Sequence, residues 1–200
     1  MNSLKAKRIL ATLLLDGTEI TKNIVEGKKL LEEAVLLGSK SAKLDLALRL
    51  FLGIDISGDI DRSQQLMLEL TEENYADAMY IMGNRYLYGG GLSRDVERGK
   101  HLLIKAIDKG NNLAKLMLAK YLITYPESKE DIEEGNKYLK ELIEINNIKA
   151  KRFYSKTLRI GLGVEKDTEK GLSVLIELVV IEYSGADYTD CPVIGNRDSA

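Results

Sequence analysis

The sequence predicts an all-α protein, an α-solenoid of five two-helix repeats with a 36-residue period. Three observations carry this. Shifting Ala78–Gly110 by 36 residues in either direction returns its pattern, with Ala78 matched by Ala6, Ala42, Ala114 and Ala150 and Gly99 by Gly27, Ser63, Gly135 and Gly171. Within each copy, apolar residues recur three and four apart, the spacing of one helical stripe. Cap and turn residues return at fixed places between the stripes. A unit of two short helices cannot bury its apolar faces alone, so the copies must stack.

Each copy opens with a helix whose expected inward stripe is Ala6, Leu10 and Leu14, then Ala42, Leu46 and Leu50, then Ala78, Met82 and Tyr86. Copies four and five supply Ala114, Leu118 and Leu122, and Ala150, Tyr154 and Leu158. Gly17, Gly53, Gly89 and Gly161 are placed to end these helices in the left-handed conformation. Copy four has Tyr125–Pro126 instead, which stops a helix by removing a backbone donor. Asn23, Asp59, Asp95, Asp131 and Asp167 are expected to cap the second helices, and Asn23 with Glu26 and Asp131 with Glu134 have capping-box spacing. The second helices should bury Leu30 and Leu31, Leu66 and Met67, Leu102 and Leu103, Tyr138 and Leu139, Val174 and Leu175. Gly38, Asn74, Gly110 and Asn146 suit their C-termini, and the fifth should run on to about Ser184–Gly185.

The copies are placed at about 4–39, 40–75, 76–111, 112–147 and 148–183, so that a repeat domain covers 1–185 and a tail 186–200. The tail reads as a flexible extension or as a cap in which Tyr188, Val193 and Ile194 cover the last helix. That helix is apolar nearly all round, so its open end is also a candidate homodimer contact.

Composition narrows the function classes. A content of 44% apolar and 30% charged residues is that of a soluble globular protein, and a net charge of −2 gives no overall bias towards nucleic acid. The single cysteine, Cys191, excludes an intramolecular disulfide, and with one histidine, His101, it leaves no Cys/His zinc set. The start imitates a signal peptide with Lys5, Lys7 and Arg8 before Ile9–Leu15, but it lies in register with the later first helices and lacks a cleavage site. No apolar segment reaches the roughly 18 to 20 residues that a membrane span needs. A cytoplasmic protein is expected.

Copy three, with Ala78, Met82, Gly83, Tyr86, Gly89, Gly91, Leu92, Asp95 and Ala106, resembles the Sel-1-like repeat, a tetratricopeptide relative with a longer inter-helix loop. Copy five repeats the pattern as Ala150, Leu158, Gly161, Gly163, Val164 and Asp167, and copy four departs from it. The resemblance spans about residues 4 to 183 and implies an adaptor or scaffold that binds other proteins. Its cysteine-rich, disulfide-stapled subfamily is set apart by the lone Cys191.

The partner-binding face is expected on the first helices, which in such a solenoid line the concave side. Taking Leu10 as the centre of the buried stripe, a rotation of about 100° per residue turns positions 5, 8, 12 and 15 of each copy outward. This gives a ladder with an apolar middle and basic ends. Its expected binding residues are Arg8, Leu48, Phe51, Tyr80, Asn84, Leu87, Lys120, Ile123, Arg152, Lys156 and Arg159. Leu44, Leu113 and Leu116 read either as part of the groove or as core between neighbouring first helices. The first helices carry thirteen bases against Asp16, Asp45 and Asp77, although the chain is net acidic.

These features predict a groove that takes an apolar, acid-flanked segment of another protein. Such a protein serves as a non-enzymatic adaptor, or as an immunity or chaperone-like protein that wraps a toxin or an effector. The alternative is RNA bound through the basic first helices, but an aliphatic middle lacks the stacking platforms that strand binding uses. No cofactor or catalytic residue is expected. Gly89–Gly91 lacks the Lys-Ser/Thr of a phosphate loop, His101 has no nucleophile at catalytic spacing, and Glu130, Asp131, Glu133 and Glu134 fit a helix N-terminus.

Overall fold

The computed structural model describes residues 3–54 and 56–184. These residues form helices and no strand: α1 (Leu4–Asp16), α2 (Ile24–Leu36), α3 (Lys40–Leu52), α4 (Ile60–Glu72), α5 (Ala76–Tyr88), α6 (Val96–Asp108), α7 (Asn112–Thr124), α8 (Lys129–Glu144), α9 (Ile148–Ile160) and α10 (Thr168–Ser184). The chain divides into two compact units, the first ending at Met117 and the second beginning at Leu118. The expectations for Tyr188, Cys191, Val193 and Ile194 lie outside the described residues.

Two loops alternate, and each is set by local chemistry. Within a helix pair the first helix ends on a glycine at positive φ, 68° at Gly17, 63° at Gly53, and 73° at both Gly89 and Gly161. The chain then returns so that the amides of Asn23, Asp59, Asp95 and Asp167 donate to Leu14, Leu50, Tyr86 and Leu158, at 2.9 to 3.0 Å. The side chains of the same four residues accept from Glu26, Arg62, Arg98 and Lys170, which satisfies amides of the first turn.

Between pairs, Gly38, Asn74, Gly110 and Asn146 take positive φ. Each lies inside a Schellman turn, closed by Ser39, Tyr75, Asn111 and Asn147 donating to Ala34, Leu70, Ala106 and Leu142. Ser39, Asn111 and Asn147 then cap the next first helix by accepting from Ala42, Ala114 and Ala150. One short segment thus ends a helix and starts the next.

Asp131 is not the cap expected of it. α8 begins three residues earlier than the repeat register requires, with Ser128 as its N-cap and Asp131 as the third helical residue of a capping box. The carboxylate of Asp131 accepts from the amides of Glu127 and Ser128 at 2.7 and 3.3 Å, and Ser128 Oγ accepts from Asp131 at 3.2 Å. With Tyr125 in the place of the left-handed glycine and Pro126 after it, the chain has no such turn to carry it further, and serine takes the cap.

α3 is buried along two lines. Its positions 6, 10 and 14 of the register meet the second helix of the preceding pair: Ala42, Leu46 and Leu50 form one core with Leu31 and Ala34 of α2. Positions 11 and 15 meet the helix's own partner, as Ala11 and Leu15 do in that same core. Leu10 is therefore not the centre of a buried stripe. It is 44% exposed, because the flank that α2 covers on α3 is open on α1. On the second helices Leu31, Met67, Leu103 and Leu139 are fully buried as expected, joined by Ala34, Leu70, Ala106 and Leu142. On α10, Leu178 is buried while Leu172, Ile176, Val179 and Val180 remain exposed.

Candidate partner-binding face

In the first unit much of the charge on the first helices is spent within the chain. Arg8 Nη1 donates to Asp45 Oδ2 at 2.8 Å, so this basic end carries an internal ion pair. Lys7 pairs with Glu33, Lys43 with Glu69 and Glu73, and Arg49 with Asp16. The two α1–α3 pairs flank an open cleft of about 340 Å³ that is also lined by Thr12, Leu48, Leu52 and Ile54.

The apolar middle is narrower than expected. Leu87 is fully buried and Ile123 is 1% exposed, and neither faces outward. Both stand at position 15, where the side chain lies on the helix's own partner: the methyl of an alanine at Gly99 would come 3.0 Å from Leu87, and one at Gly135 2.8 Å from Ile123. The rotation placed this position outside because it allowed for one buried flank rather than two. Leu44 and Leu116 are buried, as the core reading of them requires, whereas Leu113 is 43% exposed. Leu48, Tyr80 and Asn84 are half-buried and line the surface of α3 and α5.

Phe51 is half-buried for a different reason. The Arg85 guanidinium lies 3.8 Å from its ring centroid. On another side Gly91 approaches so closely that a Cβ there would stand 3.0 Å from the ring. The glycine loop thus closes over an aromatic ring, a contact that a side chain at Gly91, with φ +81°, would obstruct. Phe51 serves the fold, and its loss would be felt as instability.

The second unit differs. Arg152, Lys156 and Arg159 are exposed along α9, beside Lys149. Lys120 is half-buried, its Nζ 5.4 Å from the ring centroid of Phe153. Burial, and then the charges of Lys149 and Lys156, push the Lys120 ammonium below its ordinary value. Among the described residues no carboxylate pairs with Lys120, Lys149 or Lys156. Arg159 occupies position 15, yet it stays exposed by laying its aliphatic stem on Gly171 and carrying its head outward. The ladder therefore differs between the units: on α1 its Arg8 is paired with Asp45, whereas on α7 and α9 its Lys120, Lys149 and Lys156 have no paired carboxylate among the described residues.

Sequence reasoning passed over Arg85. Its signal was the repeat register, which sets it opposite Leu52 where Arg49 meets Asp16. Among the described residues there is no cluster of three or more His, Cys, Asp or Glu that would hold a metal ion. None of their helices is long and apolar enough to cross a membrane.

The Sel1 repeat model matches residues 5–39, 40–75, 76–111 and 149–173. The chain belongs to the Sel1 repeat family. The stretch left unmatched holds Pro126 and the early start of α8. Among solved structures, the Sel1 repeat protein from Oxalobacter formigenes is similar over 92% of this chain and 74% of that one, at 21% identity and a TM-score of 0.75. The protein c5321, a protective antigen present in uropathogenic Escherichia coli strains and displaying an SLR fold, is similar over 89% of this chain and 38% of its own, at 15% identity and a TM-score of 0.67. No curated protein matches the chain. This Sel1 repeat protein thus has an all-α repeat fold of the solenoid class, in a family of protein–protein interaction modules.

Proposed function

We propose that this Sel1 repeat protein is a non-enzymatic, cytoplasmic adaptor that binds an apolar, acid-flanked segment of another protein through the outward faces of its first helices. The observation that carries this is the group of Lys120, Lys149 and Lys156. The charges of Lys149 and Lys156 act against that of the half-buried Lys120, and no carboxylate among the described residues pairs with any of the three. A protein gains nothing in stability from such a cluster, and a partner's acidic side chains relieve it. Arg152 and Arg159 extend the cationic face along α9; the first unit, by itself, offers apolar contact at the half-buried Leu48 and Tyr80 and a polar one at Asn84. Neutralising a toxin or chaperoning an effector is a special case of this binding.

The test is capture from soluble extract of the native source by wild type and by Lys120→Glu/Lys156→Glu, followed by affinity measurement with the purified partner. The expected result is a loss of at least ~10-fold in affinity at unchanged thermal stability, part of it restored by lysine at the partner's acidic positions. Equal affinity of the two proteins would remove the cationic face from the binding site. Sub-micromolar binding of single-stranded RNA with a steep fall in added salt would replace this reading with nucleic-acid recognition.

A further inference from the structure

The repeat register contains its own control for Arg85. Between α1 and α3, Arg49 Nη2 lies 2.6 Å from Asp16 Oδ1. Moved on by one repeat, Arg49 becomes Arg85 and Asp16 becomes Leu52. The arginine has been kept, and its carboxylate is missing.

Arg85 is only 9% exposed, and among the described residues its side chain has no hydrogen bond or ion pair, only the stacking contact with Phe51. Burial holds its guanidinium below its ordinary pKa, although arginine stays charged under any ordinary condition. A desolvated cation without a counter-charge is costly, and stacking on an aromatic ring offsets part of that cost. The described residues contain no side-chain nitrogen or oxygen that is both sealed from solvent and unbonded. The unbonded nitrogens of Arg85 must therefore retain access to solvent. Leu52, which holds the register place of Asp16, is 60% exposed, an apolar side chain where the first repeat pair has a carboxylate.

We propose that Arg85 is a carboxylate-binding site, filled by an Asp or Glu side chain from within the partner's apolar segment, in the place that Asp16 holds beside Arg49. This rests on the protein-binding reading and adds to it an acid in the middle of the bound segment, beyond those on its flanks. The planar guanidinium, fixed on Phe51, presents paired donors that match the two oxygens of a carboxylate.

The test needs no known partner. A random twelve-residue peptide library is selected on the full chain, and one enriched peptide is made with its recurrent acid as Glu and as Gln. Wild type should select peptides with an invariant Asp or Glu beside an aliphatic or aromatic residue. Glu→Gln in the peptide should weaken binding to wild type at least ~10-fold and to Arg85→Gln less than ~2-fold. Leu52→Asp, which supplies the carboxylate within the chain, should lose the acidic peptide at least ~10-fold while its thermal midpoint holds or rises; it also provides the test should Arg85→Gln fail to fold. Peptides without a required acid, an equal Glu→Gln loss on both proteins, or undiminished binding to Leu52→Asp would each overturn the site and leave the protein-binding reading standing. No enriched peptide at all would overturn both.

Discussion

Ser63 Oγ donates to the main-chain oxygen of Ala47 at 2.6 Å from a fully buried position. The same crossing recurs in every repeat with the roles varied. Ser155 on the first helix donates to Gly171 on the second at 2.6 Å, and elsewhere the pairs are Gly27 on Ala11, Gly99 on Gly83 and Gly135 on Ala119. Two helices touch backbone to backbone here, so one partner must be small. In Gly99→Ala the added methyl would stand 3.0 Å from the Gly83 oxygen and from the Leu87 side chain. Overpacking of this kind costs about 1–3 kcal/mol, more than the roughly 1 kcal/mol that alanine gains as a helix former. Gly99→Ala is expected to be destabilised by up to about 2 kcal/mol in urea denaturation. A midpoint equal to wild type would mean that the helices part without cost.

Lys43 anchors a charge group between α3 and α4, with Nζ 2.9 Å from Glu73 and 3.2 Å from Glu69. Its hydrogen bond to Glu73, against the opposing effect of burial, raises the Lys43 pKa. The bonds to Lys43 and then Lys40 lower that of Glu73. For Glu73 the folded value lies below the unfolded one, so its contribution is present above roughly pH 4.3 and is lost as pH falls through the folded value. For Lys43 the sign is opposite, and its contribution is present below roughly pH 10.4 and is lost as pH rises through the folded value. The Glu73 side chain is 38% exposed, so the effect is small. Thermal midpoints of wild type and Glu73→Gln should differ at pH 7 and converge towards pH 3. Parallel curves over that range would show that the pairing adds no stability.

The helices and their ends were legible because the residues that set them act locally. Gly17 or Gly53 needs only its own backbone to favour the left-handed turn, and Asp59 or Asp95 only the amide three residues on. Where two local options compete, as with Ser128 and Asp131, spacing within the repeat pointed to the wrong one. The candidate face was less legible. Helical rotation relates Leu10 to Leu87 or Ile123 through the register, but the number of neighbours each helix has depends on stacking. The second buried flank took position 15 away from the surface. Counting charges on first helices put Arg8 and Lys156 in one class, although Asp45 lies beside the first and no carboxylate pairs with the second among the described residues. Arg85 is legible only once the Arg49–Asp16 pair is known and its missing counterpart at Leu52 can be recognised.

Leu10 and Leu46 occupy the same register position, and they separate the intrinsic value of a repeat residue from the value its neighbour confers. Leu46 is 1% exposed within the core of Leu31, Ala34, Ala42 and Leu50, whereas Leu10 is 44% exposed on the uncovered flank of α1. A buried leucine cut to alanine loses its transfer free energy and leaves a cavity, together about 2–5 kcal/mol. On an open flank no cavity forms, and less than about 1 kcal/mol is at stake. Leu46→Ala should therefore lower the urea midpoint clearly, and Leu10→Ala should leave it almost unchanged. Equal losses would mean that the flank of α1 is covered in solution, and a dependence of the Leu10→Ala loss on protein concentration would identify the cover as a second copy of the chain.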